Sequence, residues 1–342
     1  MRAVMVGCGA MSNGWLKAIR ETPALNERVD MVGFVDLDET AAKRQASEYG
    51  YTSAVTGSDL EAVIAEAKPD AVFDLVIPGA RRKVAAQALN AGCHVLSEKP
   101  MANTLPEAKE LLQIAQDAGK MHVIIQNRRH LPGIRRLKDV IESGAIGELT
   151  ALHADFYIGA HFGGFREEMD HVLLLDMAIH TFDAARFLMP SEPVGVYCQE
   201  TNPEGSWYKH GAAANALFDN ADGSVFTYRG SWVAEGANTS WESSWRAIGT
   251  KGTALWDGST DGLSANVTTS ATDFMPAVEP VALPDPKTLP AEAHAGVILD
   301  FVEAVETGRT ALTANTDNIK SLAMVFAAID SAETGARVKL DI

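Results

Sequence analysis

Arg2-Ala3-Val4-Met5-Val6-Gly7-Cys8-Gly9-Ala10-Met11-Ser12 opens the chain, and reading it decides the first half of the fold. A short β-rich run stops at Gly7, and a helix-like pattern follows over about 13–21. Strand, glycine turn and helix, in that order, are the setting a dinucleotide-binding turn requires. Gly7 makes the tight turn. Gly9 lets the backbone approach a pyrophosphate at the positive end of the helix. Ser12 stands where a third glycine would serve helix–strand packing, and it is small enough to do so. Gly7, Gly9, Ala10 and Met11 are therefore candidate cofactor contacts.

A second strand, Met31-Val32-Gly33-Phe34-Val35, ends in Asp36. Its place fits the acid expected ~20 residues on, which binds a ribose 2′-hydroxyl. A carboxylate repels a 2′-phosphate, so NAD is expected over NADP. The alternative for Asp36 is an N-cap on a helix over 39–50. The alternation then continues. Helices are expected over 60–67, 81–91 and 105–118. Strands are expected over 71–77, ending at Ile77-Pro78-Gly79, and over 121–125. This order implies an α/β Rossmann-type doubly wound parallel sheet, forming a domain over 1–125.

Between these elements lies Cys93-His94-Val95-Leu96-Ser97-Glu98-Lys99-Pro100. A buried-strand pattern ends there at a charged pair and a proline. Ligands of an open parallel sheet bind beyond the carboxyl ends of its strands, so a lysine here points at what the sheet holds. Pro100 fixes the backbone and can be cis. A plain surface lysine on a strand-to-helix turn is the alternative.

At Gln126-Asn127-Arg128-Arg129 the pattern changes. A helix over 131–143 leads to strands over 148–158, 193–199, 212–218, 224–233, 245–249 and 253–256. One helix, about 170–188, separates the first two. Residues 275–290 read as a proline-rich loop. Two more helices (294–306, 316–333) precede a terminal strand over 337–342. Many strands and few helices imply an α+β domain over 126–342, with an open, mainly antiparallel sheet.

Composition narrows the function classes. A chain of 342 residues holds about two domains at roughly 150 residues each. With 29 basic against 45 acidic side chains, the net charge of −16 argues against nucleic acid or an anionic membrane as the main partner. Three widely spaced cysteines, Cys8, Cys93 and Cys198, suit a reducing compartment. No signal-peptide pattern follows Met1, and no apolar run approaches ~18 residues. A cytoplasmic location is expected.

The pieces together resemble the glucose–fructose oxidoreductase and inositol dehydrogenase family, Gfo/Idh/MocA, over essentially the whole chain. The resemblance rests on Gly7-Cys8-Gly9, Val35-Asp36, Ile77-Pro78 and the run Ala91 to Pro100. It continues through Asn127-Arg128-Arg129, Gly144-Ala145-Ile146-Gly147-Glu148, Asp176-Met177-Ala178-Ile179-His180 and Gly249-Thr250-Lys251-Gly252. It implies NAD(P)-dependent oxidation or reduction of sugars, cyclitols and related compounds. It also implies a homodimer or homotetramer paired through the C-terminal sheet. Lys99 takes the place of the family's catalytic or cofactor-side lysine. Asp176 and His180 take the places of its carboxylate and its acid/base histidine. Ile77, Pro78, Glu98, Lys99 and Asn127 join the expected cofactor contacts. Two departures touch the site rim. Gly79 and Arg82 stand where members often have asparagine and histidine, and Met169-Asp170-His171 replaces a glycine run.

The residue types suit the chemistry. Hydride leaves a carbinol carbon as its hydroxyl loses a proton, so a base and a positive charge are needed at the oxygen. Asp176 and His180, four apart, share one face of a helix. An unperturbed histidine titrates at about 6.5, near neutrality. His180 is the expected acid/base, and Lys99 the group that polarises the oxygen. Asp176 holds a substrate hydroxyl or tunes its neighbours. Asn127, His161 and Arg166 are further candidate substrate contacts, the last two from the glycine-containing segment His161-Phe162-Gly163-Gly164-Phe165-Arg166. For Arg128 and Arg129, binding an acidic substrate and joining domains both stay open. For Asp170 and His171, substrate contact and helix capping both stay open. His153, His161, His171, Asp176 and His180 resemble no established ligand set, so no metal is expected. Trp207, Trp232, Trp241 and Trp245 suit either a sugar face or, preferably, a sheet-to-sheet subunit interface. Two other functions share these residues. One is an NAD-dependent glycosidase working by transient oxidation, elimination and water addition. The other is a non-enzymatic NAD sensor, against which Lys99, Asp176 and His180 argue.

Overall fold

The computed structural model describes residues 1–270 and 272–340. Asp341 and Ile342, the end of the terminal strand expected over 337–342, lie outside the described residues. The chain divides into two compact units: Met1–His130 with Leu289–Leu322, and Leu131–Thr288 with Ala323–Ile342.

The first unit alternates strand and helix. Its order is β1 (Arg2–Val6), α1 (Ala10–Glu21), the short α2 (Pro23–Asn26), β2 (Asp30–Val35), α3 (Glu39–Glu48) and β3 (Val55–Gly57). Then come α4 (Leu60–Ala67), β4 (Ala71–Asp74), α5 (Pro78–Asn90), β5 (His94–Ser97), α6 (Leu105–Ala118) and β6 (His122–Ile124). The strands form one six-stranded sheet in the order β3-β2-β1-β4-β5-β6. Every pair is parallel. Local chemistry sets the helix starts. Asp38, Asp59 and Thr104 each accept a backbone N–H from the first turn of α3, α4 and α6. Pro78 occupies the first turn of α5, where no N–H is needed.

The second unit starts with α7 (Pro132–Glu142), β7 (Leu149–Tyr157) and the one-turn α8 (Phe165–Glu168). A π-helix (Leu173–Ala178) runs into α9 (Ile179–Leu188). There follow β8 (Pro193–Thr201), β9 (Ala213–Asn220), β10 (Val225–Ser231), β11 (Ser244–Gly249), β12 (Gly252–Trp256), β13 (Leu263–Thr268) and β14 (Val278–Pro280). The chain ends with α10 (Ala293–Thr307), α11 (Asn315–Thr334) and β15 (Val338–Lys339). Nine strands order as β14-β13-β12-β11-β7-β10-β9-β8-β15. All pairs are antiparallel except β7 with β10. Alternation along the strands gives one buried and one more open face. Phe182 of α9 meets Phe218 and Tyr228 on the buried face at centroid distances of 4.9 and 5.3 Å.

The structure differs from the sequence reading in three places. The boundary expected at residue 126 does not hold for 289–322, which fold with the first unit. The reason is apolar: Val297, Ile298, Phe301 and Val302 of α10 share one core with Ala3, Met5 and Phe73. Phe301 meets Phe73 at 6.2 Å, and Phe73 meets Trp15 at 5.7 Å. Second, β3, β13 and β14 lack a legible signal. They lie at or near sheet edges, and β14 interrupts the stretch read as a proline-rich loop. Its Pro280 sits on an edge strand, where proline is tolerated. Third, the helix expected over 170–188 begins as a π-helix.

Candidate functional site

The glycine turn fits a dinucleotide. Gly7 adopts φ +93°, and a Cβ there would lie 2.8 Å from the Leu75 carbonyl carbon. Only glycine suits that place. A Cβ on Gly9 would meet nothing within 4 Å, so space remains above the backbone at the start of α1. Asp36 is not the cap of α3, because Asp38 fills that role. The Asp36 carboxylate instead accepts the Cys8 N–H at 2.7 Å and the Asp38 N–H at 3.0 Å, which ties the end of β2 to the glycine turn. Exposed Met11, Leu37 and Ile77 supply apolar surface in this unit. Burial, then the neighbouring Asp36, pushes the Cys8 thiol up to about 12, so it is an inert packing group.

The Glu98-Lys99-Pro100 turn stands on a buried polar network. The Lys99–Pro100 peptide is cis. Glu98, expected as a cofactor contact, is instead turned inward and buried. One of its oxygens accepts Trp15 Nε1 at 2.9 Å and the other accepts the Lys99 backbone N–H at 3.2 Å. Beneath lie Asp74, Arg81, Ser97 and His122, each no more than 2% exposed. Ser97 Oγ donates to Asp74 at 3.0 Å and lies 3.1 Å from His122 Nε2. Arg81 donates to the carbonyls of Pro100, at 2.7 Å, and Val76. Burial pushes Asp74 up to about 6 against the pull of Arg81, and lowers Arg81 in turn. Burial, with Arg81 beside it, pushes His122 down to about 3, so this imidazole is neutral. The sequence reading missed this group. The available signal was Asp74 itself, an acid inside the apolar run Ala71 to Ile77. Arg82, the residue at the family's histidine position, is exposed and pairs with Glu110 across α5 and α6.

Asn127 begins a 3₁₀ turn, Asn127–His130. Its amide lies 3.3 Å from His294 Nδ1. Arg129 meets neither of its two alternatives as stated: it is tied within the first unit, pairing with Asp317 at 2.8 Å and donating to the Leu312 carbonyl. Arg128 is buried as well.

In the second unit, Asp176 lies in the π-helix and His180 in the first turn of α9. Both are partly exposed between fully buried Leu173, Leu174, Met177, Ala178 and Ile179. π-Turns within helices are frequent at functional sites. Arg166 donates from Nε to Asp176 at 2.9 Å. Its guanidinium carbon lies 4.9 and 5.0 Å from the rings of Phe162 and Phe165. The structure thus joins two candidates, Arg166 and Asp176, that spacing alone left separate. Gly163 and Gly164 before them both take φ +67°. His161 is exposed, stacks on Trp207 at 3.7 Å and pairs with Glu235 at 3.0 Å.

Asp170 and His171 are engaged in ion pairs. His171, at φ +51°, lies 2.5 Å from Glu200 and 3.3 Å from Glu333. The Glu200 hydrogen bond, with the charges of Glu200, Glu333 and Asp170, raises its pKa against the effect of burial. Asp170 pairs with His210 at 3.2 Å. Among the tryptophans the expectation of a sugar face or subunit interface fails for two. Trp232 and Trp245 are 1% and 2% exposed, packed within this unit against Phe156 and Phe226. Trp241 is exposed beside Trp232 and Phe162.

Comparison with known proteins agrees with this architecture. The model of the GFO/IDH/MocA oxidoreductase family's NAD-binding Rossmann fold matches residues 1–126, and that of its C-terminal domain matches 134–255. A 1,5-anhydro-D-fructose reductase of Ensifer adhaerens is 29% identical over 55% of this chain and 56% of its own. A D-xylose dehydrogenase of Paenarthrobacter nicotinovorans is 30% identical over 34% of this chain and 29% of its own. The chain therefore spans about half, or less, of these two relatives. An oxidoreductase from Agrobacterium radiobacter, solved with NAD+, L-tartaric acid and magnesium, has the same fold. Its TM-score is 0.86 at 21% identity, covering 99% of this chain and 98% of its own. With both domain models matched in order, the chain belongs to the GFO/IDH/MocA oxidoreductase family, and its first unit carries that family's NAD-binding Rossmann fold.

Proposed function

We propose that this protein is an NAD-dependent dehydrogenase acting on a hydroxyl-bearing carbon of a sugar, sugar derivative or cyclitol. The observation that carries the reading is Asp176 and His180, partly exposed on a π-to-α helix and flanked by the buried apolar side chains of Leu173, Leu174, Met177, Ala178 and Ile179. Ionisable groups amid such packing are costly unless paired or used, and Asp176 is held by Arg166 at 2.9 Å. Gly7, Gly9, Ala10, Met11, Asp36, Ile77, Pro78 and Asn127 would hold the dinucleotide, which supplies the hydride acceptor when bound. His180 takes the hydroxyl proton in oxidation and returns it in reduction. Lys99 steadies the developing negative charge on the same oxygen. Asp176, held by Arg166, orients a substrate hydroxyl, and His161 borders the substrate. Asp36 favours NAD over NADP by repelling a 2′-phosphate.

The named activities of the two relatives, a sugar reductase and a sugar dehydrogenase, support this substrate class. A homodimer or homotetramer is part of the reading. On the open face of the large sheet Tyr197, Leu217, Thr227, His153, Arg246 and Leu255 form one cross-strand row. Three of them are large exposed hydrophobics, at 49%, 43% and 36%. A cytoplasmic location fits three unpaired, buried cysteines.

The test is NADH formation by purified protein across sugars, sugar acids, cyclitols and glycosides, with aglycone release followed in parallel. Steady NADH from a free sugar or cyclitol is the expected result. Aglycone release with no accumulating NADH would replace the reading with the redox glycosidase. NAD binding with neither product, and no functional loss on Lys99→Ala, would replace it with the sensor.

A further inference from the structure

We infer that Arg81 is a positioning residue for Lys99, its buried guanidinium fastening together the two loops that follow β4 and β5. The inference deepens the dehydrogenase reading and rests on it for the role of Lys99.

The geometry is specific. One Nη donates to the carbonyl of Pro100, the residue after Lys99. The other Nη donates to the carbonyl of Val76, the residue before Ile77. One planar cation therefore bridges the lysine turn and the loop that starts α5. Arginine suits the task because its donors are fixed in a rigid fork. Nε faces Asp74 at 3.8 Å, too long for a hydrogen bond, so this acid acts as a counter-charge. Asp74 is fixed by the same two loops: it accepts the Val76 N–H at 3.2 Å and Ser97 Oγ at 3.0 Å. Its backbone carbonyl accepts the Glu98 N–H at 2.8 Å. Lys99 is thus held on both sides, by Glu98 on its own N–H and by Arg81 one residue later.

The energetics point the same way. Arg81 and Asp74 are 2% and 0% exposed. Desolvation of such a pair commonly exceeds its Coulombic gain. Asp74 sits near 6 when folded and near 3.9 when unfolded. Its proton is held more tightly in the folded state, so its contribution to stability is full below 3.9 and declines as pH rises through about 6. At neutral pH burial works against the ionised pair, and what its geometry supplies is the placement of one turn.

Two variants separate placement from mere stability. Arg81→Lys keeps the charge opposite Asp74 and loses the fork. Arg81→Met with Asp74→Asn removes the charges together and leaves an acceptor for Val76 and Ser97. Each is measured for melting temperature, NAD affinity by fluorescence, kcat and KM on the substrate found by the panel. The carbon-13 signal of dimethylated Lys99, assigned with Lys99→Arg, gives a readout independent of turnover.

The expected result is kcat lower by about 10- to 100-fold in both variants and a displaced Lys99 signal. Recovery of kcat and of the Lys99 signal in the variant that recovers melting temperature would overturn the inference, leaving Arg81 as a stability element. Wild-type turnover with kcat and the Lys99 signal unmoved in Arg81→Lys would overturn it too, and leave the dehydrogenase standing. A displaced Lys99 signal in a protein whose wild type forms no NADH with any panel compound would sink the dehydrogenase instead, and leave the positioning intact.

Discussion

The two stretches that carry the proposed chemistry are held by opposite means. The Lys99 turn rests on fully buried groups: Trp15, Asp74, Arg81, Ser97 and Glu98 fix it through the sheet's own interior. The Asp176–His180 segment lies in a π-helix and the start of α9, and Asp176 takes a partly buried partner from another element. Arg166 of α8 reaches Asp176 just after a two-glycine loop, while His171, mostly buried, binds Glu200 and Glu333. A turn fixed from inside has one geometry. A segment whose partner follows a glycine loop takes its geometry in part from that loop, and loops vary more readily than the scaffold they sit on. On the proposed reading the chemistry draws on both stretches, Lys99 from the one and His180 from the other.

The sharpest test removes the reacting groups. Lys99→Ala and His180→Ala should each lower kcat by about 10²- to 10⁴-fold while NAD still binds, as read by NADH formation and cofactor fluorescence. Unchanged turnover in either would end that residue's role and the contrast with it. Next in size is Trp232→Ala. As a core residue it should cost about 3–5 kcal/mol in the denaturation of the second unit, with no change in sedimentation of the folded protein. A change in subunit association without loss of stability would return Trp232 to an interface.

Asp36→Ala should weaken NAD by about 10- to 100-fold and narrow its advantage over NADP, measured by paired titrations. If the preference does not move, Asp36 only ties the glycine turn to β2. A smaller effect is expected at His171. Its pKa is raised in the folded state, so its ion pairs stabilise fully below the unfolded value of about 6.5. That contribution is lost as pH rises through the higher folded value. His171→Gln should flatten the fall in melting temperature above neutrality, and an unaltered pH profile would show the pairs to be idle. Smallest of all is Arg82→Ala, which loses an exposed, solvent-screened pair with Glu110 and should leave the melting temperature nearly unchanged. A large loss of activity there would mean that the family's histidine position still faces the substrate.

Much of this was legible without coordinates. The strand–glycine–helix order, the acid at the end of β2 and the apolar strand before Glu98 are local patterns, and each local pattern specifies a local backbone. Gly7 had to be glycine, Asp36 had to stand at a strand end, and Asp176 and His180 had to lie four apart on a helix. These relations span few residues, so the chain order carries them.

What only the tertiary structure decided involves partners far apart in sequence. Arg81 read as one of two adjacent arginines at a helix start. Packing put one in the core under Lys99 and the other in solvent, because only one side of α5 faces the sheet. Glu98 read as a contact on the surface of the turn, until Trp15 claimed its carboxylate. Residues 289–322 followed the second unit in chain order, yet Phe301 completes the core of the first. The sequence by itself determined the family, the order of the elements and the residue types on offer for chemistry. Which of those residues are buried supports, and which remain open to a ligand, was decided by long-range packing, since burial belongs to the folded surface and not to any stretch of chain.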